Sequence, residues 1–237
     1  MELYDLHCHI LPEMDDGSES VEMSVKMLNT LAEQGVRHIC FTPHYYTHKE
    51  SMEDFLERRQ SCYEILKPHI PEGIEVCLGA EVYVTDIIMN NKSLKPVCYG
   101  NSNYILLEFP YNTSFEGTSY DFLMRLINLY NVRPVMAHIE RYDAMIRNPK
   151  LLEDLSGYGI KFQTNANSYL ERSTFRKFKK LIKYGLIHYI GSDAHNLQRY
   201  QPDRYKEAFD LIAKKTSPDV VNGIIHYSKK VFDAATN

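Results

Sequence analysis

The chain has 237 residues, 44% of them hydrophobic, and a formal net charge of −4. That is enough apolar material for one large core or a pair of modest ones, and the acidic balance speaks against an extended nucleic-acid surface. No apolar run reaches the roughly 20 residues of a membrane span, and the acidic start Met1-Glu2-Leu3-Tyr4-Asp5 is unlike a signal peptide, so a soluble cytoplasmic protein is expected. The five cysteines (Cys8, Cys40, Cys62, Cys77, Cys98) are odd in number and form no C-x-x-C. This argues against a disulfide framework and against a thiolate zinc site. Eighteen tyrosines with no tryptophan is a bias for which the sequence offers no physical reason.

Residues 2–9 read as a short buried strand. Residues two apart share a face of a strand, so Asp5, His7 and His9 project together. Two imidazoles on one rigid face make a ready pair of metal ligands, and Asp5 behind them is placed to orient a ring N–H. Residues 20–34 carry helical spacing (Val21, Val25, Leu28, Leu31), with Ser18 or Ser20 as the N-cap and Gly35 as the stop. A buried strand over 38–42 ends at Pro43, with His44 next, and a charged amphipathic helix over 51–66 is closed by Pro68 and Pro71. The third strand, 75–82, has Glu81 at its end, and a short helical turn follows over 86–89. The fourth, 104–108, ends in Glu108, before a turn-rich loop over 110–117 and a helix over 119–130.

The fifth strand, 133–137, runs into His138. A short helix over 149–155 is stopped by Gly157 and Gly159, a weaker sixth strand covers 161–164, and a basic amphipathic helix covers 173–184. The seventh strand, 188–191, leads directly into Ser192-Asp193-Ala194-His195, and helices near 203–214 and 219–232 finish the chain. Strand-helix alternation repeated about seven times, without a linker, argues for one α/β domain over 1–237 with a mostly parallel sheet. His7, His9, His44, Glu81, Glu108, His138, Asp193 and His195 all fall at or just beyond the C-terminal ends of predicted strands. A parallel barrel gathers such ends on one face, whereas an open sheet spreads them along a line, so a small barrel is expected.

Taken singly, these residues have ordinary readings: a strand-end glutamate is solvated, and Asp15-Asp16-Gly17 is a tight turn. Glu108 fits that view least, because a carboxylate beside a core run needs a partner. Together, every predicted strand end but the sixth carries a His, Asp or Glu. Nitrogen and oxygen donors without thiolate suit manganese, iron or zinc, and the donors are too many for one ion. Clustered metals activate water and clamp oxygens, which is the chemistry of phosphoester hydrolysis. Rival routes are absent: no cysteine opens C-x5-R, no Asp-x-Asp pair exists, and neither G-x4-G-K-[ST] nor H-E-x-x-H occurs. Attack on phosphorus by a metal-held hydroxide is the expectation that remains.

Asp5-x-His7-x-His9, Asp15-Asp16-Gly17, Pro43-His44, Gly79-Ala80-Glu81, Glu108-Phe109, His138-Ile139-Glu140-Arg141-Tyr142 and Ser192-Asp193-x-His195-Asn196 resemble the polymerase-and-histidinol-phosphatase superfamily. Within it they are most similar to the bacterial manganese-dependent protein-tyrosine phosphatases of capsule and exopolysaccharide loci. The resemblance implies a distorted (β/α)7 barrel with three Mn2+ ions, iron or zinc being alternatives. It implies that His7, His9, Glu81 and Asp193 hold one ion, that Glu81 bridges to a second completed by Glu108 and His138, and that Asp16, His44 and His195 hold the third. Asp16 is chosen over Asp15 on motif position. Arg141 is expected to bind phosphate oxygens through its planar fork, with Arg199 or Arg204 as a second contact. The implied substrate is phosphotyrosine on the tail of an autophosphorylating bacterial tyrosine kinase. Two alternatives stay open: a small-molecule phosphatase acting on histidinol phosphate, and a binding module whose metals only hold the fold together.

Overall fold

A computed structural model describes residues 2–198 and 201–237 of the chain. The first predicted strand is β1 (Leu3–Cys8), buried at every position. The second predicted strand is β2 (Val36–Phe41), and after a break an unforeseen strand, β3 (His44–Tyr46), follows; the third comes as two pieces, β4 (Glu75–Leu78) and β5 (Glu81–Tyr83). The first of these breaks falls at Pro43, which has no N–H to give a ladder. The second falls at Gly79-Ala80. β6 (Tyr104–Glu108), β7 (Arg133–Met136), β8 (Lys161–Asn165) and β9 (Tyr189–Gly191) complete the strands.

The helices between them are α1 (Val21–Glu33), α2 (Met52–Leu66), α3 (Thr118–Tyr130), α4 (Asp143–Arg147), α5 (Pro149–Gly157), α6 (Asn167–Leu170), α7 (Arg172–Lys183), α8 (Tyr205–Lys215) and α9 (Pro218–Thr236). Of the two serines open as the cap of α1, Ser20 takes the role: its side chain accepts from the Met23 amide at 3.2 Å. Gly35, the expected stop, lies at φ 89°, a conformation glycine adopts without steric cost. The α7 face that carries Phe175, Phe178, Leu181 and Ile182 is buried. Burial of such side chains contributes about 1.5–3 kcal/mol each. No helix among the described residues is long and apolar enough to cross a membrane.

All strand pairs are parallel, and their order divides into two sheets, β1-β2-β4 and β3-β5-β6-β7-β8-β9. The α/β class with parallel strands therefore stands, while the sheet expected as one ring is two. The sheets meet at two places. At the first, Gly79 N donates to Phe41 O (2.8 Å) and Glu81 N to Pro43 O (3.0 Å), across both strand breaks. At the second, Asp193 N donates to His7 O (2.8 Å) and His9 N to Ala194 O (2.9 Å), around an isolated parallel bridge from Cys8 to Ala194. β1 and the segment after β9 are thereby stitched together.

The cysteine reading needs correction. Cys40 and Cys77 face each other in the β2–β4 register and are joined as a disulfide, leaving Cys8, Cys62 and Cys98 free and buried. An odd count does not forbid one bridge between neighbouring strands. The tyrosine bias also acquires part of a reason, because several buried hydroxyls donate to backbone carbonyls near strand ends. Tyr99 donates to Leu6 O (2.9 Å), and Tyr205 lies within reach of both Tyr4 O (2.7 Å) and Ile190 O (2.6 Å). Tyr205 thus ties β1 to β9, and Tyr205→Phe is expected to lower stability by about 1 kcal/mol in urea unfolding, with the secondary structure unchanged.

Candidate metal centre

β1 delivers His7 and His9 to one point. Their Nε2 atoms lie 3.3 Å apart, and neither residue is exposed. Glycine makes the approach of the flanking segments possible. A Cβ at Gly191 would lie 2.7 Å from His7 Cβ, and one at Gly17 would overlap the His9 carbonyl. Glu81, at the head of β5, is the hub. Its Oε2 is 3.3 Å from His7 Nε2, 3.4 Å from His9 Nε2 and 3.0 Å from His44 Nδ1, while its Oε1 is 2.8 Å from His138 Nε2. Asp193 Oδ1 stands 3.3 Å from both His7 Nε2 and His9 Nε2. His138 and Asp193 both lie in the left-handed backbone region, at φ 29° and 52°. Such backbone is strained for non-glycine residues and persists where the surroundings over-determine it.

Around this centre, His138 Nε2 is 3.5 Å from Glu108 Oε1, and His44 Nδ1 is 4.0 Å from Glu108 Oε2. Asp16 Oδ1 reaches toward His44 Nε2 (3.5 Å) and His195 Nε2 (3.6 Å) from a side chain that is 64% exposed. Three groups therefore offer donor atoms lying within 4.8 Å of one another: His7, His9, Glu81 and Asp193; His9, Asp16, His44 and His195; and His44, Glu81 and Glu108. All nine residues expected from the sequence as ligands converge here.

The donor set fits divalent ions. Glu81 Oε2 and His44 Nδ1, 3.0 Å apart within the cluster, are buried without a well-aligned hydrogen-bond partner. Burial disfavours a charged His7 ring, yet Glu81 and Asp193 outweigh it and raise its pKa to about 9. Burial likewise opposes the His9 imidazolium, but Asp15 and then the central carboxylates push its pKa well up. Burial works against ionised Glu81 and Asp193, and the histidines, His7 foremost, still hold both well below the usual carboxylate range. These carboxylates demand positive charge at the ring nitrogens, a demand that a metal ion meets.

Arg141 stands at the lip of the cluster. It donates to Asp193 Oδ2 (2.7 Å) and to the Tyr111 hydroxyl (3.3 Å), and that hydroxyl donates to Glu108 Oε1 (3.0 Å). Burial opposes its charge, but Asp193 and Tyr111 raise the pKa further, so the guanidinium is permanently charged. A cavity of about 170 Å3 opens here, lined by Asp16, His44, Tyr46, Glu108, Tyr111, Arg141, Asp193 and His195. Arg204 is elsewhere. Its Nε and Nη2 form a pair of 2.6 Å bonds to Glu207 on the first turn of α8, which takes up the fork expected for phosphate. Arg199, the other expected phosphate contact, lies outside the described residues. Asp5 also needs correction: its Oδ1 accepts from the backbone amides of His7 (3.2 Å) and Ser192 (2.9 Å), not from a ring N–H. It therefore joins β1 to the segment after β9 rather than orienting an imidazole.

The family model for capsular polysaccharide synthesis, CpsB/CapC, matches residues 3–232. This chain belongs to the CpsB/CapC family. A tyrosine-protein phosphatase CpsB of Streptococcus pneumoniae is 32% identical over 228 residues, 90% of each chain. The tyrosine-protein phosphatase YwqE of Bacillus subtilis (strain 168) is 31% identical over 206 residues, 83% of this chain and 78% of that one. A crystal structure described as one of the YwqE and CpsB unique metal-dependent tyrosine phosphatases superposes with a TM-score of 0.80 at 25% identity, covering 98% of this chain and 95% of that one.

The CpsB/CapC match spans the whole cluster and also three supporting residues that the sequence reading did not assign. Asp15 Oδ2 is 2.7 Å from His9 Nδ1 and accepts from the His44 amide (2.9 Å), so it positions two of the histidines at once. Gln163 Oε1 sits 3.2 Å from His7 Nδ1 and accepts from the His138 amide (2.6 Å). Asn165 Nδ2 donates to Asp193 Oδ2 (2.7 Å), while its own amide donates to the half-buried Glu140 (2.8 Å). Gln163 and Asn165 alternate along β8. Their polarity is the signal that could have found them, since a buried strand has no other use for two amides.

Proposed function

We propose that this CpsB/CapC chain hydrolyses phosphotyrosine on a protein, with up to three divalent ions, manganese first among them, held at one rim of a distorted (β/α)7 barrel made by the whole of residues 1–237. One observation carries the reading: three overlapping donor groups and the permanently charged Arg141 face a single small cavity. The substrate class follows from the relatives, which are tyrosine-protein phosphatases. The barrel is supported by the hydrogen bonds across both sheet junctions, which link seven strand units in a ring if β2–β3 and β4–β5 each count once. A cytoplasmic location and presentation of the phosphotyrosine on a bacterial tyrosine kinase tail belong to the same proposal.

His7, His9, Glu81 and Asp193 would hold one ion, Glu81 with Glu108 and His138 a second, and Asp16, His44 and His195 a third. When bound, such ions lower the pKa of water and offset phosphate charge. The side chains do the rest. Arg141 binds the non-bridging phosphate oxygens, its fork steadied by Asp193 on one side and the Tyr111 hydroxyl on the other. Tyr46 and Tyr111 bound the entrance, where the phenyl ring of the substrate sits. A phenolate leaving group, with a pKa near 10, departs without a positioned acid, whereas an alkoxide needs one.

Phosphate release from a phosphotyrosine peptide and from histidinol phosphate tests this directly. The peptide is expected to have the higher kcat/KM by about tenfold or more, and the reverse order would overturn the substrate assignment. Asp15→Asn is expected to weaken metal binding by about 10–100-fold, read by metal titration, because His9 loses the partner that fixes its ring.

A further inference from the structure

A second charged cluster lies at the opposite ends of the same strands. Arg133 opens β7 and Lys161 opens β8, while Tyr104 opens β6 in register with Arg133. With Lys230 of α9 and Tyr158, just past α5, they line a cavity of about 420 Å3. Its lining holds three cations and no carboxylate, in a chain whose formal net charge is −4. Among the described residues, Arg133, Lys161 and Lys230 form no ion pair with an acid.

Neutral groups hold two of the cations in place. Lys161 Nζ lies 3.3 Å from His188 Nε2 and 5.3 Å from the Tyr227 ring centroid. Arg133 donates to the Tyr104 hydroxyl at 3.3 Å, and its guanidinium carbon lies 5.5 Å from that ring centroid. Burial, and then Lys161, hold the His188 pKa down to about 3, so His188 is a neutral ring, and its Nδ1 accepts from the Phe162 amide at 3.2 Å. Burial, and then Lys230, lower the pKa of Lys161. Lys161 thus sits beside the like charge of Lys230 with neutral groups as its other neighbours, a repulsion that a bound anion relieves.

We propose that this cavity binds a small anion with two or more adjacent phosphoryl groups, of the inorganic pyrophosphate or nucleoside polyphosphate class. A single phosphate group carries about −1.5 to −2 at neutral pH, less than three cations can match. The volume takes a nucleotide-sized ligand, and Tyr158, 59% exposed, offers a ring face beside the cations. The five residue steps from Arg133 to His138 separate this site from the metal cluster by roughly 16 Å of extended chain. It is therefore a second site, not a subsite of the first.

The chain has no tryptophan, so Tyr158→Trp creates a unique emission reporter at the cavity. Titration of that variant with inorganic pyrophosphate, and separately with ATP, is expected to give a saturable emission change. Half-saturation should rise about tenfold or more when Lys161→Met or Lys230→Ala is added, and stay within about twofold when Arg141→Ala is added. Calorimetric titration of pyrophosphate into the Arg141→Ala chain, with and without Lys230→Ala, gives the same comparison without the reporter. Equal half-saturation for the two ligands assigns recognition to the phosphoryl groups, and tighter ATP binding adds the aromatic ring at position 158. No saturable change in either measurement, indifference to both lysine substitutions, or loss on Arg141→Ala would overturn the proposal.

Discussion

Glu81→Gln is expected to lower kcat/KM for phosphotyrosine-peptide hydrolysis by about a hundred- to a thousandfold, and to release metal. The substitution keeps shape and volume while removing the one charge that four imidazoles share, at 2.8–3.4 Å from His7, His9, His44 and His138. No other carboxylate in the cluster is within that reach of all four rings, so none can replace it. Glu81 also belongs to two of the three donor groups, and its neutralisation weakens both together. Steady-state kinetics and elemental analysis of the purified variant read the two effects separately. Full turnover with full metal content would remove Glu81 from the centre of the mechanism.

Chelation is expected to reduce phosphate release to background and to lower the thermal midpoint, with both restored by manganese. Ligands that bind only the folded state stabilise it by about 2.7 kcal/mol each at a hundred times their dissociation constant, so losing several ions is a large effect. The donors come from β1, β3, β5, β6 and the segments after β7 and β9, so the ions would link segments far apart in the sequence. Re-addition of zinc or iron in parallel ranks the metals. Activity that survives complete chelation would defeat the proposed function, whereas lost stability without any turnover in the loaded protein would favour a metal-held binding module.

The parts of this site legible in the sequence are those in which one residue type at a strand end has one chemical use. His7 and His9 two apart, Glu81 and Glu108 closing apolar runs, and Asp193-x-His195 after a short strand all converge where a parallel arrangement brings them. Residues that act on another side chain were harder to read. Asp15 beside Asp16 gives no sign of which carboxylate turns inward, and only the 2.7 Å contact to His9 separates them. β8 read as weak because Gln163, Thr164 and Asn165 break its apolar pattern, although all three are buried and two of them position site residues. Pro43 was visible as a stop, but not that β3 resumes in register with β5. The Cys40–Cys77 pairing depends on the β2–β4 register, which no spacing within either strand reveals.

The seam between Cys8 and Ala194 sets an order in time. Asp193 and His195 leave the ribosome more than 180 residues after His7 and His9, and loop closure over that span comes late. A chain halted before β9 lacks Asp193 and His195, so the group of His7, His9, Glu81 and Asp193 is left with three of its four members. Any ion held by that group would then be loaded late, from the cations on offer once the segment after β9 has docked on β1.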